Sequence, residues 1–303
     1  MKGLETIQLN KMSAVKIIKE FGQPEFFSQD KLRRSLKRIG ANDEIIAEVV
    51  QEISSQLKEG MTTRQIYQQA FDLMKRYSAP HAARYKLKQA INELGPSGFP
   101  FELFVAELLK YEEYQTQTGI VVEGHCVKHE IDVIAEKREH HFMIECKFHN
   151  SQGIHCDVKV PLYIQSRFLD VERRWKEWPG HEKKFHQAWI VTNTRFTVDA
   201  ISYGTCMGLH LISWDYPAKS SLRDRINASG MHPLTCLTNL TDQEKKLLLE
   251  MDIVLYKQLC QQPELLRNVG IQNEERINNV LSEGIEVCMQ FGHDENEVSK
   301  FSI

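Results

Sequence analysis

The segment from His129 to His149 contains two apolar runs with a charged turn between them, and both runs carry charged residues of types that catalyse reactions. Asp132 interrupts the run EIDVIA, and Glu145 and Lys147 form an E-x-K triplet in the run HFMIECKF. Charges in such positions are costly to bury unless they are paired or bind a metal ion. Two converging carboxylates can hold a hard cation such as Mg²⁺, and a nearby lysine can orient an attacking water. The pattern D-x12-E-x-K therefore predicts metal-dependent hydrolysis of a phosphodiester bond.

Two neighbouring strands must position these residues. Both runs are short and rich in β-branched residues, and the polar EKREH between them suits a hairpin turn. Side chains alternate faces along a strand, so Glu145 and Lys147 share one face and Cys146 points to the other. Asp132 can join that face from the neighbouring strand, whereas His129 points away from it. A solvated Glu–Lys ion pair on an exposed strand is the alternative explanation of the triplet.

A helix upstream supplies a further acid. In FPFELFVAELLKYEEY, turning each residue by about 100° places one group of apolar side chains within a single arc. These are Phe101, Phe104, Val105, Leu108 and Leu109. Glu102 falls at the edge of this arc, whereas Glu107 points to the open side. Glu102 is therefore the acid placed to face the interior surface of the domain.

Length and composition limit the class of protein. The chain has 303 residues, of which 42% are hydrophobic and 26% charged, enough for two or three domains. No stretch approaches the roughly 18 apolar residues of a membrane span, and the N-terminus lacks the apolar core of a secretory signal, so we expect a cytoplasmic protein without a membrane partner. The 7 scattered cysteines, without a C-x-x-C, argue against a disulfide framework and a zinc ribbon. With a net charge of −3, any nucleic-acid contact needs a local basic surface.

The sequence pattern changes twice, which predicts three parts after a short tail at residues 1–12. Residues 13–94 carry helix-period apolar residues among charged ones and end at the breaker G-P-S-G. Residues 95–220 alternate between helix and strand patterns, which is typical of an α/β domain. Residues 221–303 are helical again. The predicted fold class is α/β, with a mainly helical part on either side.

Four stretches of the central part carry a family resemblance: PFELFVAELL, EIDVIA, IECKF and AWIVTNTRFTVDAISYGTCMGLHLISW. In this order they resemble the Mrr-type restriction endonucleases of the PD-(D/E)XK nuclease superfamily. The resemblance implies an αβββαβ core, with Asp132 and Glu145 as ligands of Mg²⁺ or Mn²⁺. It also implies that Lys147 is the catalytic lysine and Glu102 the acid from the helix. VEGHCVKHEID replaces the family's glycine-rich approach to the strand, so the loop over the site differs in shape.

The sequence after Lys147 offers two further candidates for the site. DVKVPLYIQSRFLDVERRW predicts a helix, and related nucleases often place a glutamine there facing the site, which nominates Gln165. An exposed glutamine on the helix surface is the alternative. The next segment, ERRWKEWPGHEKKFH, is dense in Arg, Lys and Trp, which suits phosphate contact and base stacking. A solvated loop is the alternative for this segment.

Histidines and cysteines near the proposed site raise the question of zinc. They are His125, Cys126, His129, His149, His155 and Cys156. Their spacing matches neither a zinc finger nor a zinc ribbon, and strand alternation directs His129 away from Asp132. Hard-cation chemistry at the carboxylates is therefore the preferred prediction.

The N-terminal part carries a second resemblance, in AVKIIKEFGQPEFFSQDKLRRSLKRIGA, GMTTRQIYQQAFDLMKR and HAARYKLKQAI. These stretches resemble the ATP-cone, the nucleotide-sensing module of ribonucleotide reductases and some transcriptional regulators. The resemblance implies binding of ATP or dATP, because cations neutralise phosphates and helix N-termini accept anions. It nominates Lys19, Glu25, Lys31, Thr63 and Tyr67. Glu20 stands where the family has arginine and would repel a phosphate, so the alternative is a degenerate cone kept for oligomerisation.

Near the C-terminus, LLRNVGIQNEERINNVL predicts a helix, a V-G-I turn and another helix. This segment resembles half of a helix-hairpin-helix, in which a glycine turn brings backbone N–H groups to a DNA phosphate. A plain pair of packed helices is the alternative.

The sequence as a whole predicts a metal-dependent DNA endonuclease, controlled by ATP or dATP and by homo-oligomer formation, in restriction of foreign DNA or in repair. A non-catalytic, nucleotide-responsive DNA-binding regulator is the first alternative. A nuclease specific for RNA or branched junctions is the second.

Overall fold

The computed structural model describes residues 15–19, 22–151, 153–177 and 185–289. The chain divides into two compact units, with the division between Tyr85 and Lys86. The tail predicted at residues 1–12 and the atypical Glu20 lie outside the described residues. The predicted division near residue 220 stays a prediction.

The first unit is mainly helical. Its elements are β1 Lys16–Ile18, β2 Pro24–Phe26, α1 Gln29–Arg38, α2 Asp43–Gln56, α3 Thr63–Tyr77 and α4 Ala79–Tyr85. The strands pair antiparallel, with Ile17 opposite Glu25. The long helices begin at side-chain caps, and at α3 Thr62 and Gln65 form a capping box. Their apolar faces meet in one core, which includes Leu36, Val49, Ile53 and Met74.

The second unit begins with a helix and continues into alternating strands and helices. Its first part contains α5 Leu87–Asn92, α6 Phe99–Tyr111, β3 Gln115–Glu123, β4 Lys128–Lys137, β5 His140–Lys147, β6 His155–Cys156 and α7 Lys159–Glu177. It continues with β7 Phe185–Thr192, β8 Arg195–Phe196, α8 Val198–Cys206, β9 His210–Ile212 and α9 Leu222–Ser229. The last part contains a 3₁₀ helix Leu234–Cys236, then α10 Asp242–Glu250, α11 Tyr256–Gln261, α12 Glu264–Asn268 and α13 Glu274–Met289.

A mixed sheet with the strand order β3–β4–β5–β7–β9 forms the centre of the second unit. The strands β3, β4 and β5 form an antiparallel meander, and β7 and β9 extend it in parallel. The parallel additions follow from the crossover helices α7 and α8, because a parallel neighbour needs a long connection. The predicted α/β fold class is confirmed at this level.

The core of the sheet domain lies between the sheet and the helix α7. Ile164 and Phe168 of α7 pack with Met143 of β5 and Ile190 of β7, all of them buried. The central strands β5 and β7 are buried along most of their length, as expected for strands covered on both faces, whereas β3 at the edge alternates between exposed and half-buried residues. α6 packs against β3, β4 and β5. The ends of β4 and β5 are thus held between helices.

The C-terminal region is helical, as predicted, and has its own apolar core. Its cluster includes Leu234, Leu248, Leu259, Leu266, Ile271 and Val280. The predicted V-G-I turn is confirmed, since it joins α12 to α13 with Gly270 at φ +97°, a backbone conformation that favours glycine. Within the described part of the chain, no helix is long and apolar enough to cross a membrane.

The short helix α5 belongs to the second unit, although the G-P-S-G breaker after it assigns it to the first part. The Ala90 carbonyl accepts a hydrogen bond from Thr235 Oγ1 at 2.7 Å, which links α5 to the C-terminal region. Asn92 Oδ1 accepts a hydrogen bond from Asn193 Nδ2 at 2.9 Å, beyond the end of β7. Lys88 donates to the Asn193 carbonyl. These bonds place α5 against both parts of the second unit.

Candidate active site

An acidic pair lies where β4 and β5 separate. The antiparallel register of these strands ends at Val133 and Ile144, so Asp132 and Glu145 occupy the next opposite positions. Here the Asp132 carboxylate takes the place of a backbone acceptor, because its Oδ2 accepts a hydrogen bond from the Cys146 N–H at 2.7 Å. The two acids therefore lie side by side at the open end of the hairpin.

Two cations hold the carboxylate of Glu145, which is 4% exposed. Lys147 Nζ donates to its Oε1 at 2.5 Å, so the two side chains share one face of β5. Arg167, from α7, donates to Oε2 through Nη1 and to the Glu130 carbonyl through Nη2. Both oxygens of this buried carboxylate therefore accept charge-assisted hydrogen bonds.

No sequence pattern singled out Arg167. It lies 22 residues beyond Glu145, on a different element, and the contact between them depends on the packing of α7 against the sheet. The sequence signal that could have identified Arg167 is its place two positions after Gln165, on a helix that was already expected to lie near the site.

Glu102 is coupled to the same site from the first turn of α6. Burial, followed by the charges of Asp132, Glu145 and Glu130, raises the pKa of its carboxyl to about 7, against a lowering effect of Lys147. A carboxyl with this pKa exchanges its proton near neutral pH, which is the property of a general base or acid. The structure thus brings Glu102 together with the residues of the E-x-K strand.

The other ionisable groups of the site also have shifted pKa values. Burial, followed by the charge of Glu145, raises the pKa of Asp132 to about 6, although the Cys146 N–H and Lys147 favour the ionised form. Burial lowers the pKa of Lys147, but the hydrogen bond and charge of Glu145 outweigh this effect and raise it overall. Lys147 therefore remains an ammonium group beside two carboxyl groups that repel each other.

Gln165 is 7% exposed, which rules out the exposed glutamine considered as the alternative. Its Oε1 has no hydrogen-bond partner among the described residues. A buried amide oxygen without a partner costs free energy, so this atom is available to a ligand or an ordered water.

The donor set of the acidic site suits a hard divalent cation. Glu102, Asp132 and Glu145 offer only oxygen, and the charge of Glu145 raises the pKa of the other two, a repulsion that a cation would relieve. Across the described ranges, no group of three or more His, Cys, Asp or Glu side chains is arranged to hold a metal ion. Mg²⁺ often binds through one or two carboxylates and keeps several waters, so Asp132 and Glu145 fit such an ion as a pair.

The histidines near the site have other partners. His129 Nε2 lies 2.8 Å from Asp170 Oδ2 on α7, and the Asp170 carboxylate also accepts the N–H groups of Cys126 and Val127. His149 Nε2 lies 3.4 Å from Cys156 Sγ. The Asp170 contacts fasten the loop between β3 and β4 to α7.

The basic and aromatic segment after α7 is described only in part, because residues 178–184 lie outside the described ranges. In the described part, Trp175 packs against Phe185 with ring centroids 4.8 Å apart. Arg173 pairs with Glu177 at 3.2 Å. These contacts occupy Trp175 and Arg173, and nucleic-acid contact by the segment stays a prediction.

In the first unit, three of the residues nominated for nucleotide binding meet. Glu25 pairs with Lys19 at 3.0 Å and also with Lys31. The hydrogen bonds from Lys31 and Lys19 lower the pKa of the Glu25 carboxyl. Ile18, at the end of β1, bridges to Thr62, so Lys19 follows β1 close to the start of α3.

The other two nominated residues lie on α3. Thr63 is the first residue of this helix. Tyr67 lies one turn on, and its ring stacks on that of Tyr85 with centroids 4.9 Å apart and an angle of 14°. A lysine pair and a stacked aromatic pair thus occur in the same unit.

The V-G-I turn carries acidic neighbours. Arg267 pairs with Glu274, and Glu275 also lies in the first turn of α13. Carboxylates at the start of this helix would repel a DNA phosphate. The local charges therefore favour the interpretation of the segment as a plain pair of packed helices.

Comparison with known proteins identifies a matching family model and similar proteins. Residues 232–288 match the family model described as AF1548-like, C-terminal. An uncharacterized protein of Archaeoglobus fulgidus is 39% identical over 133 residues, which are 44% of this chain and 71% of that protein. The crystal structure of a protein of unknown function, AF1548, aligns with a TM-score of 0.52 and 33% identity, covering 63% of this chain and 98% of that chain.

Proposed function

This chain belongs to the AF1548-like family, and from its own site we propose that it is a metal-dependent endonuclease that hydrolyses phosphodiester bonds in DNA. The observation that carries the proposal is the adjacency of Asp132 and Glu145 at the open end of the β4–β5 hairpin, with Lys147 bonded to Glu145. Two acids and a lysine in this relation suit cation-assisted attack of water on a phosphate.

We also infer that the sheet domain is a restriction-endonuclease-like core of the Mrr type. The order α6, β3, β4, β5, α7 and β7 supports this assignment, since it follows the αβββαβ sequence of elements once the short β6, which pairs with β8 outside the main sheet, is set aside. The positions of Asp132 and Glu145 on neighbouring strands support it further. In the first unit, a strand pair followed by helices supports an ATP-cone.

In the proposed mechanism Asp132 and Glu145 would hold Mg²⁺ or Mn²⁺, which supplies a Lewis-acid charge at a phosphate oxygen when bound. Lys147 keeps its ammonium beside Glu145, where it can orient the attacking water and stabilise negative charge on the phosphate. Glu102, with a pKa of about 7, takes a proton from the water at a carboxylate oxygen. Gln165, which the family resemblance places at the site, would be a further acceptor for that water through its unpartnered Oε1.

Nucleotide control is part of the proposal. Lys19 and Lys31 would bind the phosphates of ATP or dATP, in competition with Glu25, and Tyr67 would contribute its ring. Nucleotide binding would then set the oligomeric state and with it the nuclease activity. Restriction of foreign DNA or repair is the biological role that we propose.

The proposal is tested with the full-length protein on plasmid, linear and single-stranded DNA and on RNA, with Mg²⁺ or Mn²⁺, and with or without ATP or dATP. We expect cleavage of DNA by the wild type and at least a hundredfold slower cleavage by Asp132→Ala and Lys147→Ala, given the usual effect of losing one charge-stabilising group.

Two other results would each replace the proposal. Intact substrates with all proteins, together with DNA binding by the wild type, would favour the non-catalytic regulator. Cleavage of RNA but not of DNA would show that the protein is a nuclease specific for RNA.

A further inference from the structure

Arg167 is a cation of the site that the proposed hydrolysis does not use. Its side chain is 11% exposed and makes three contacts: Glu145 Oε2, the Glu130 carbonyl, and the face of the Tyr163 ring, whose centroid lies 5.5 Å away. Tyr163 itself is 59% exposed. The guanidinium therefore lies between the acidic pair and the surface.

The contacts of Glu145 conflict with metal binding. Lys147 occupies Oε1 and Arg167 occupies Oε2, so both oxygens already face a positive group. A divalent cation shared by Asp132 and Glu145 would add two further charges within a few ångström of the guanidinium. Like charges at such separation in a buried site repel strongly, so one of the two present cations has to give way.

Arg167 is the cation that can move. Lys147 lies two residues from Glu145 on the same strand face, and its backbone is fixed by the pairing of β5 with β7. Arg167 approaches on a long side chain from α7 and has other partners, the Glu130 carbonyl and the Tyr163 ring. It can leave the carboxylate and remain beside the site.

We propose that Arg167 holds Glu145 in the metal-free protein, leaves this carboxylate when a divalent cation binds, and then contacts a phosphate of the nucleic acid. This inference rests on the proposed function, because it concerns the same site. A guanidinium presents a planar fork of donors that matches phosphate as well as carboxylate, so the same group can serve both partners in turn. The exchange couples metal entry to substrate binding.

The first measurement is the affinity for Mn²⁺ by titration calorimetry on the full-length protein without DNA. We expect Arg167→Ala to bind Mn²⁺ about tenfold more tightly than the wild type, since a competing charge-assisted hydrogen bond is gone. Arg167→Lys should give an intermediate value. Arg173→Ala, an exposed arginine of the same helix that pairs with Glu177, is the matched control and should leave the affinity unchanged.

The second measurement is the affinity for DNA with Ca²⁺ in place of Mg²⁺. We expect Arg167→Ala to bind DNA about tenfold more weakly, although it binds Mn²⁺ more tightly, because a phosphate contact is lost. A residue with a merely structural role would weaken both affinities together. Thermal unfolding of Arg167→Ala and Arg167→Lys shows whether each variant is folded.

Unchanged or weaker Mn²⁺ binding by folded Arg167→Ala, or unchanged DNA binding, overturns the exchange while leaving the metal site and the nuclease proposal in place. Absence of Mn²⁺ binding by the wild type overturns the exchange together with the metal site. Failure of the nuclease proposal is recognised separately, by intact DNA in the cleavage assay.

Discussion

Asp132 accepts the backbone N–H of Cys146 across the end of the β4–β5 ladder, at 2.7 Å. The Asp132 carboxylate thereby pairs with an N–H group that the separating strands would leave without a partner. Its charge also interacts with that of Glu145. The position itself disfavours the charged form, since burial and the Glu145 charge raise the Asp132 pKa to about 6 although this hydrogen bond lowers it.

Asp132→Asn should therefore stabilise the metal-free protein and abolish its response to metal. The amide oxygen can still accept the Cys146 N–H, while the repulsion from Glu145 disappears. We expect a higher Tm than the wild type in EDTA at pH 7.5, and no increase on adding Mn²⁺. Glu139→Gln, in the exposed turn of the same hairpin, is the control. A Mn²⁺-dependent increase in the Tm of Asp132→Asn would contradict the assignment of Asp132 as a ligand.

Glu102 predicts a pH dependence of stability. Its pKa is raised from 4.5 to about 7, so the folded protein binds this proton more tightly than the unfolded chain. The free energy of unfolding must then fall as pH rises from about 4.5 to about 7. Asp132 acts in the same direction between 3.8 and about 6.

The measurement is Tm against pH in EDTA for the wild type and Glu102→Gln. The Tm of the variant should fall less than that of the wild type as the pH rises. The difference should be largest between pH 6 and 7.5, where Asp132 contributes little. Glu107→Gln, on the same helix but paired with Lys110, should follow the wild type. Parallel curves for the wild type and Glu102→Gln would show that Glu102 titrates normally.

Lys31 provides the test of nucleotide binding in the first unit. Lys31→Gln should lower the affinity for ATP by about fivefold. The reason is that only one of the two lysines paired with Glu25 remains to bind the phosphates. A fluorescent ATP analogue titrated at two salt concentrations measures this effect, which should shrink at high salt. Lys37→Gln, exposed on the same helix, is the control. Equal affinity of the wild type and Lys31→Gln would favour the degenerate cone.

Gly284 predicts a packing limit in the C-terminal region. A Cβ at this position would lie 1.9 Å from the ring of Tyr256, which is 3% exposed and whose hydroxyl donates to the Leu281 carbonyl. Gly284→Ala should lower the free energy of unfolding by about 1–3 kcal/mol despite the better helix propensity of alanine. Ser282→Ala, on the exposed side of α13, should change it by less than about 0.5 kcal/mol. Urea unfolding of both variants measures this difference. Equal unfolding midpoints for Gly284→Ala and Ser282→Ala would show that the Tyr256 ring can move to accommodate the methyl group.

Local sequence patterns predicted those features that depend on neighbours along the chain. Strand alternation placed Glu145 and Lys147 on one face, and the helical wheel of α6 selected Glu102. The contact of Arg167 with Glu145 depends on how a helix packs across the sheet, and such a contact leaves no periodic signal. The burial of Gln165 was equally invisible, because a single glutamine on an amphipathic helix does not reveal which face is covered.

The strand order was likewise beyond local patterns. The position of β7 between β5 and β9 results from crossover helices, whose return path is fixed by tertiary packing. The G-P-S-G breaker was a correct turn signal, yet α5 before it belongs to the second unit. A breaker marks the end of a helix and does not show which core the helix joins.

The position of α5 decides where this chain can be cut or exchanged. A fragment beginning at Gly95 would lose the acceptor of the buried Thr235 hydroxyl and one of the two acceptors of the Asn193 amide, at a cost in free energy. Recombination between relatives, or separation of the two units for study, should therefore preserve everything from Lys86 onward. The second unit thus starts before the G-P-S-G breaker, with the helix that joins the sheet domain to the C-terminal region.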